Sequence, residues 1–468
     1  MTTLLGLFML VLAVLVATMV VVQSRRGTVD LFSVRNFFLL GFIVFQITSA
    51  TITFWTGYYD ALVCSDYGKV GLVYTLVLLL WLSFYLIFYA KNKPAVFLAS
   101  RLRSSHGATT PTMMLVLASS FLLAAIFCRF ALATVPVVGV LAIILATGLS
   151  GAAAGMASWV WAPRPFRPMI ALAAGSIILV ALGVVLYQAF GRRDALSVII
   201  ACVWGAHHGH WKHIGLKRAA KQIVPLGAAG LLFMAAFSGA RTEKDYSLGV
   251  IESVTRVTQG KLGDGLLAMA SGQAAAACSM WIIDTRPQSF EYDTLHTFRY
   301  FIGHPIPRIF WENKPIALGW AMTSQGKVRG RSKGFNFGPG LMGHVYNDNP
   351  WISLVPYAFG LAFLMRFMDQ LAKLNPTNPF IVVPLGCALG DLLALPRGET
   401  GLFLSRAVLM MVGSFMGMTF CAGVLSTLGL RAPAAESEDD LSAGEEAAPA
   451  GSELIDAEVA AAYGVEDA

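Results

Sequence analysis

Two cations held between two prolines stand out as residues able to do chemistry: Arg308 and Lys314, within residues 306–315, read as I-P-R-I-F-W-E-N-K-P. Pro307 and Pro315 fix φ and lack a backbone donor, so the stretch predicts a stiff loop rather than a helix or a central strand. A guanidinium is a planar fork that matches phosphate oxygens, and an ammonium adds a point charge. The pair suits a phosphate-bearing lipid headgroup near a membrane surface. A loop of surface salt bridges has the same composition, so the choice between the two rests on the rest of the chain.

A lipid headgroup requires a membrane, and the composition points to one. Of 468 residues, 56% are hydrophobic and 13% charged, against about a quarter charged in soluble domains. The apolar residues form charge-free runs of about 20, which read as helix spans and not as alternating barrel strands. Eleven spans are expected, at residues 3–23, 37–55, 70–90, 112–133, 136–161, 168–190, 195–211, 223–239, 351–368, 380–395 and 402–428. The fold class is therefore all-α, a polytopic integral membrane helix bundle with one long external loop. It divides into an N-terminal bundle (1–239), the loop (240–350), three C-terminal spans (351–430) and an acidic tail (431–468) too poor in large apolar residues to bury a core. The formal charge of +7 sums a basic body and that acidic tail, and gives no reason to expect nucleic acid. The first run has no basic flank before it and no cleavage site, so it reads as a retained span. The six cysteines show neither a disulfide framework nor metal spacing.

Basic residues gather in every second connection: Arg25, Arg26 and Arg35, then Lys91, Lys93, Arg101 and Arg103, then Arg164 and Arg167, then Lys212, Lys217, Arg218 and Lys221. The positive-inside rule makes these connections cytoplasmic, which puts the N-terminus and the 240–350 loop outside and the C-terminus inside. Residues 265–283 are also free of charge, and as a span they would move the Arg308 loop to the cytoplasm. Their Ala, Ser, Gly and Gln content is weakly hydrophobic, so they read as a helix on or near the outer face.

On this topology several outer cations break the charge bias. They are Arg192 and Arg193 in F-G-R-R-D, Arg308 and Lys314 in the loop, Arg397 in L-P-R-G-E, and Arg406 within the last span. A cation kept against the bias and the desolvation cost marks function. Together these six make a candidate pocket for a pyrophosphate, with local pairing to Asp194 and Glu399 as the plain alternative. Arg129, near the outer end of the fourth span, reads as a snorkelling side chain. His207, His208, His210 and His213 resemble a metal cluster, yet they lie among lysines at the cytoplasmic end of a span with no H-E-x-x-H and no Cys pair. No metal is expected there.

The loop reads I-I-D-T-R-P-Q-S-F-E-Y-D-T-L from Ile282, H-P-I-P-R-I-F-W-E-N-K-P up to Pro315, and G-P-G-L-M-G-H-V-Y-N-D from Gly338. With the G-R-R-D turn and L-P-R-G-E, this series resembles the bacterial oligosaccharide repeat-unit polymerases of the Wzy (O-antigen polymerase) type, P-R-x-x-W-x-x-K-P being the specific part. The His344 region departs from the Glu- or Asn-bearing pattern of that family, and the acidic tail lies outside the resemblance. The resemblance implies a GT-C-like glycosyltransferase of the bacterial cytoplasmic membrane. Such an enzyme joins undecaprenyl-pyrophosphate-linked units into O-antigen, capsule or exopolysaccharide on the outer face, without metal or cofactor. Its partners would be a lipid-linked oligosaccharide donor and acceptor, membrane lipids and a polysaccharide chain-length regulator.

An anionic leaving group wants fixed cations, here Arg192, Arg193, Arg308, Lys314, Arg397 and Arg406. The attacking hydroxyl wants a general base. His304 and His344 are the better choices for it, ahead of His296, Glu291, Asp293 and Asp348; the plain alternative for each is a structural loop histidine. His304, His344 and Arg308 are thus the expected catalytic residues. An O-antigen ligase-like transferase would share the donor and the cations. A transporter or lipid-linked glycan flippase would instead show charges at mid-membrane, paired broken helices and an internal repeat, and no repeat is visible.

Overall fold

The computed structural model describes residues 1–57, 62–104, 106–187, 192–240, 274–324 and 337–433. These residues are overwhelmingly helical. The strands among them, β1 (His106–Thr109) and β2 (Arg431–Pro433), form one short antiparallel pair. In chain order the helices are α1 (Thr2–Arg25), α2 (Val34–Thr56), α3 (Tyr67–Lys91), α4 (Lys93–Ser100), α5 (Pro111–Thr134), α6 (Gly139–Trp161), α7 (Pro168–Leu186), α8 (Arg192–Ala206) and α9 (Leu216–Ala240). After the long loop begins come α10 (Ala275–Thr285), α11 (His296–Gly303), α12 (Leu318–Ser324), α13 (Gly340–Asn347), α14 (Pro350–Leu374), α15 (Pro379–Ala394) and α16 (Thr400–Thr427).

Among the described residues eight helices are long and apolar enough to cross a membrane: α1, α2, α3, α5, α6, α7, α14 and α16. They fall on eight of the eleven expected spans. The other three expectations, 195–211, 223–239 and 380–395, fall on α8 and its π-helical continuation, on α9, and on α15, and these depart from a plain apolar span. Pro225 lies inside α9 and Pro384 inside α15. Starts follow local chemistry: the Asp66 carboxylate accepts the Gly68 and Lys69 N–H groups ahead of α3, and Thr110 caps α5 with Pro111 at its first position.

Small residues let the central helices approach. A methyl at Gly205 in α8 would sit 2.2 Å from the Gly155 carbonyl oxygen of α6. Aromatic rings fill the space between α2 and α3, with Phe42 on Trp81 at 5.4 Å and Trp81 on Tyr85 at 5.3 Å.

Polar contacts sort into two ends. At one, Asp369 near the end of α14 accepts the Val34 N–H at 2.6 Å, the Arg35 N–H at 3.2 Å and the Tyr89 hydroxyl at 2.7 Å. His207 meets Asp30 and Ser104 meets Asn375 at the same end, and the β1–β2 pair lies there. At the other end Ser65 donates its N–H to Asp284 at 2.7 Å, and Arg129 reaches the Tyr187 carbonyl.

One expectation needs correction. Of residues 265–283, the described part is Ala274 and the α10 residues up to Ile283, and Ala275–Ile283 are all buried against other helices instead of lying on a face. Ala276 donates its N–H to Ser49 of α2 at 3.3 Å, and the Ser279 hydroxyl donates to the Pro339 carbonyl at 2.7 Å. The small side chains that lower hydropathy are those that allow close helix contact. The described part of the segment is therefore not a surface helix, and its eleven residues rise about 16 Å, half of a hydrocarbon core. Residues 265–273 lie outside the described residues.

Candidate active site

The first turn of α8, the end of α15 and the start of α16 meet at the Arg308 end of the bundle. Arg406 donates Nε to Asp391 Oδ2 at 3.1 Å and Nη2 to Asp194 Oδ1. All three side chains are buried. Burying an ion costs several kcal/mol of hydration, and partners on both sides offset that cost. Arg193 completes the cluster, its guanidinium 4.8 Å over the Phe403 ring. Its Nε is buried with no hydrogen-bond partner among the described residues. Two arginines and two aspartates thus balance, with Arg193 carrying the unspent donor.

The proline-bounded loop lies over this cluster. Lys314 Nζ donates to the carbonyls of Gly303, His304 and Ile306 at 3.4, 3.2 and 2.7 Å. It therefore closes the C-terminal end of α11, where a cation also meets the negative end of the helix dipole. Burial, and then Arg308, push its pKa below the usual lysine value. Arg308 is exposed at the rim and donates Nη1 to the Glu312 carbonyl at 3.1 Å. His304 follows α11, with Nδ1 3.3 Å from the Ser405 hydroxyl. Burial first, then Lys314, Arg406 and Arg193, push His304 down to about 4, so it is neutral at physiological pH.

A second polar group lies behind the first. His344 is 0% exposed, with Nδ1 2.8 Å from Thr297 Oγ1 and Nε2 3.4 Å from Glu399 Oε1. Glu399, also buried, accepts the N–H groups of Leu318 at 2.7 Å and Gly319 at 3.3 Å, at the start of α12. Burial lifts Glu399 to about 7 against those two N–H groups, and burial also pushes His344 down to about 3. With the imidazole neutral, the 3.4 Å contact is not an ion pair, and His344 Nε2 has no hydrogen-bond partner among the described residues.

Of the expected residues, the structure gathers Arg193, His304, Lys314 and Arg406, with Arg308 at the rim. Arg406 departs from its expected role as a phosphate ligand, because two carboxylates hold it inside the bundle. His344 departs from the role of an accessible base, because it is fully enclosed. Arg397 is half-buried, 5.9 Å over the Phe45 ring. Arg192 opens α8, and its side chain lies outside the described residues. Glu291 is exposed. Asp293 binds His296 at 2.8 Å, and Asp348 accepts the Thr297 N–H at 2.7 Å. Among the described residues no three His, Cys, Asp or Glu side chains form a metal-binding group.

Sequence reasoning missed Asp391 and gave Glu399 only a local pairing role. An acid inside the apolar run L-G-D-L-L-A was a visible signal for the first. The second needed the fold: α15 stops at Ala394, and the 395–399 turn after it drops into the bundle. There the Gln46 side chain of α2 donates to the Pro396 carbonyl, ten residues or about 15 Å from the end of α2. No family model, no curated protein and no solved structure matches this chain.

Proposed function

We propose that this chain is a GT-C-like membrane glycosyltransferase that polymerises lipid-pyrophosphate-linked oligosaccharide units, the reaction of the repeat-unit polymerases its loop resembles. The observation that carries the reading is the convergence of Arg193 with His304 and Lys314, from two distant parts of the chain, at a site where the buried Arg193 Nε has no partner among the described residues. In the proposed reaction an acceptor sugar hydroxyl attacks the anomeric carbon of the donor. A glycosidic bond forms, the bond from that carbon to the pyrophosphate oxygen breaks, and the lipid pyrophosphate leaves with the electron pair. Arg193 and Arg308 stabilise the charge that builds on it, and such donors matter most where water is excluded.

His304 is assigned to receive the hydroxyl proton, its neutral form being the one required. A pKa near 4 makes it a weak base, so most of the rate must come from the cations. His344 and Glu399 act as positioning residues, holding α11, α12 and α16 together. The orientation that suits this chemistry, with the Arg308 end outside, is the one the basic connections favour.

The test is a deletion complemented with wild type, Arg308→Ala or Arg193→Ala, with protein levels in the membrane matched. The reading expects single repeat units in the deletion and no polymer ladder with either variant. Full-length polymer stranded on its lipid would indicate ligation, and units accumulating inside would indicate transport; either result overturns polymerisation.

A further inference from the structure

A cavity of about 590 Å³ opens at the end of the bundle opposite Arg308, beside the loop that follows α1. His208 on its wall stands fifteen residues beyond Arg193 along one nearly continuous helix, about 22 Å away. Nothing in the proposed glycosyl transfer uses this cavity.

Lys212, Arg366 and Lys373 line it against two acids, Asp30 and Asp369, a balance of one positive charge. Both acids are already engaged. Asp30 holds His207 Nε2 at 3.1 Å from each carboxylate oxygen and accepts the Phe32 N–H at 3.0 Å. Burial opposes its ionisation, yet the His207 hydrogen bond and charge keep Asp30 well below the usual carboxylate range. Asp369 is taken by Val34, Arg35 and Tyr89.

Lys212 Nζ lies 3.8 Å from Asp30 Oδ2, while two other donors on the wall are less fully used. Arg366 lies 5.3 Å over the Tyr89 ring, forms no ion pair among the described residues, and leaves Nε buried without a partner. His208 is 4% exposed, its ring tilted against Trp204 with centroids 4.3 Å apart, and neither ring nitrogen has a hydrogen-bond partner among the described residues. Buried donors without acceptors are costly, and an anion entering the cavity would satisfy them.

We infer that this cavity binds a phosphate-bearing anion whose oxygens accept from Arg366 and Lys212, with His208 as a further donor. The same chemistry fits a phospholipid headgroup or a soluble phosphate. The inference does not depend on the proposed transferase activity.

The experiment is calorimetric titration of inorganic pyrophosphate into the full chain in phosphatidylcholine nanodiscs, repeated in nanodiscs containing phosphatidylglycerol. Wild type is expected to bind at this cavity. Arg366→Gln and His208→Phe should each weaken that binding at least tenfold, and Phe keeps a ring in contact with Trp204. Arg308→Gln, at the other end, should leave it intact. Competition by phosphatidylglycerol would identify a lipid headgroup as the occupant; its absence would identify a soluble phosphate. The inference is overturned if pyrophosphate does not bind, if binding is unaffected by both cavity variants, or if Arg308→Gln alone removes it. Loss through Arg308→Gln alone would leave the glycosyl-transfer reading standing, so the two can fail separately.

Discussion

At Arg406 the bundle buries a full positive charge, and the carboxylates of Asp194 and Asp391 decide what its removal does. Arg406→Gln leaves two buried acids facing each other, and breaking a buried pair costs about 3–5 kcal/mol. Thermal unfolding in detergent should show that loss, with melting well below wild type. Arg308 makes the opposite case. It is exposed and bonded to a single carbonyl, so Arg308→Ala should alter stability by less than about 0.5 kcal/mol while the proposed activity disappears. Glu399 adds a pH dependence with a definite sign. Its folded-state pKa is about 7 against an ordinary 4.5, so between those values the folded chain keeps a proton that the unfolded chain has released. That contribution is complete below pH 4.5 and is lost as pH rises through 7. The stability difference between wild type and Glu399→Gln should fall by on the order of 3 kcal/mol across the window, measured as paired melts from pH 4.5 to 7.5. No change in the difference would mean that Glu399 ionises normally. Sequence reading paired Glu399 with Arg397 because they are neighbours in the chain. The partners it has in space, His344 and the α12 N–H groups, come from segments 55 to 81 residues away.

Between elements the decisive contacts are those where a side chain has no room. A methyl group on Gly205 would meet backbone of α6, which cannot rotate away. Gly205→Ala should therefore destabilise by about 1–3 kcal/mol through overpacking. Gly175 in α7 has nothing within 4 Å of the same position, so Gly175→Ala should be neutral or mildly stabilising through helix propensity. Paired melts of the two variants check the contrast; equal effects would mean that α6 and α8 are further apart than described. The same close packing explains why α10 was misread. Hydropathy counts side-chain transfer from water and scores Ala, Ser and Gly low. It carries no information on how near two helix axes can come, and that distance is what buries Ala275–Ile283.

For the molecule as a whole, long apolar runs made the helices legible, because a run of about 20 uncharged residues has few other fates. The burial of the site within the bundle was not legible, since it depends on the turn after α15 reaching Gln46, a contact 350 residues apart in sequence. The proposed sidedness rests on charge: the end bearing Asp30 and Lys212 belongs to the basic connections, so on the proposed reading the opposite end, bearing Arg308, should face outward. Two exposed positions make this measurable. Phe310 is 75% exposed beside Arg308, and Phe166 is 96% exposed in the basic turn between α6 and α7. In a background lacking the native cysteines, Phe310→Cys should react with a membrane-impermeant maleimide on intact cells. Phe166→Cys should react only after permeabilisation. The reverse pattern would put Arg308, Lys314 and His304 on the cytoplasmic side, where a polymerase acting on externally presented units has no substrate, and the proposed function would fall with the orientation.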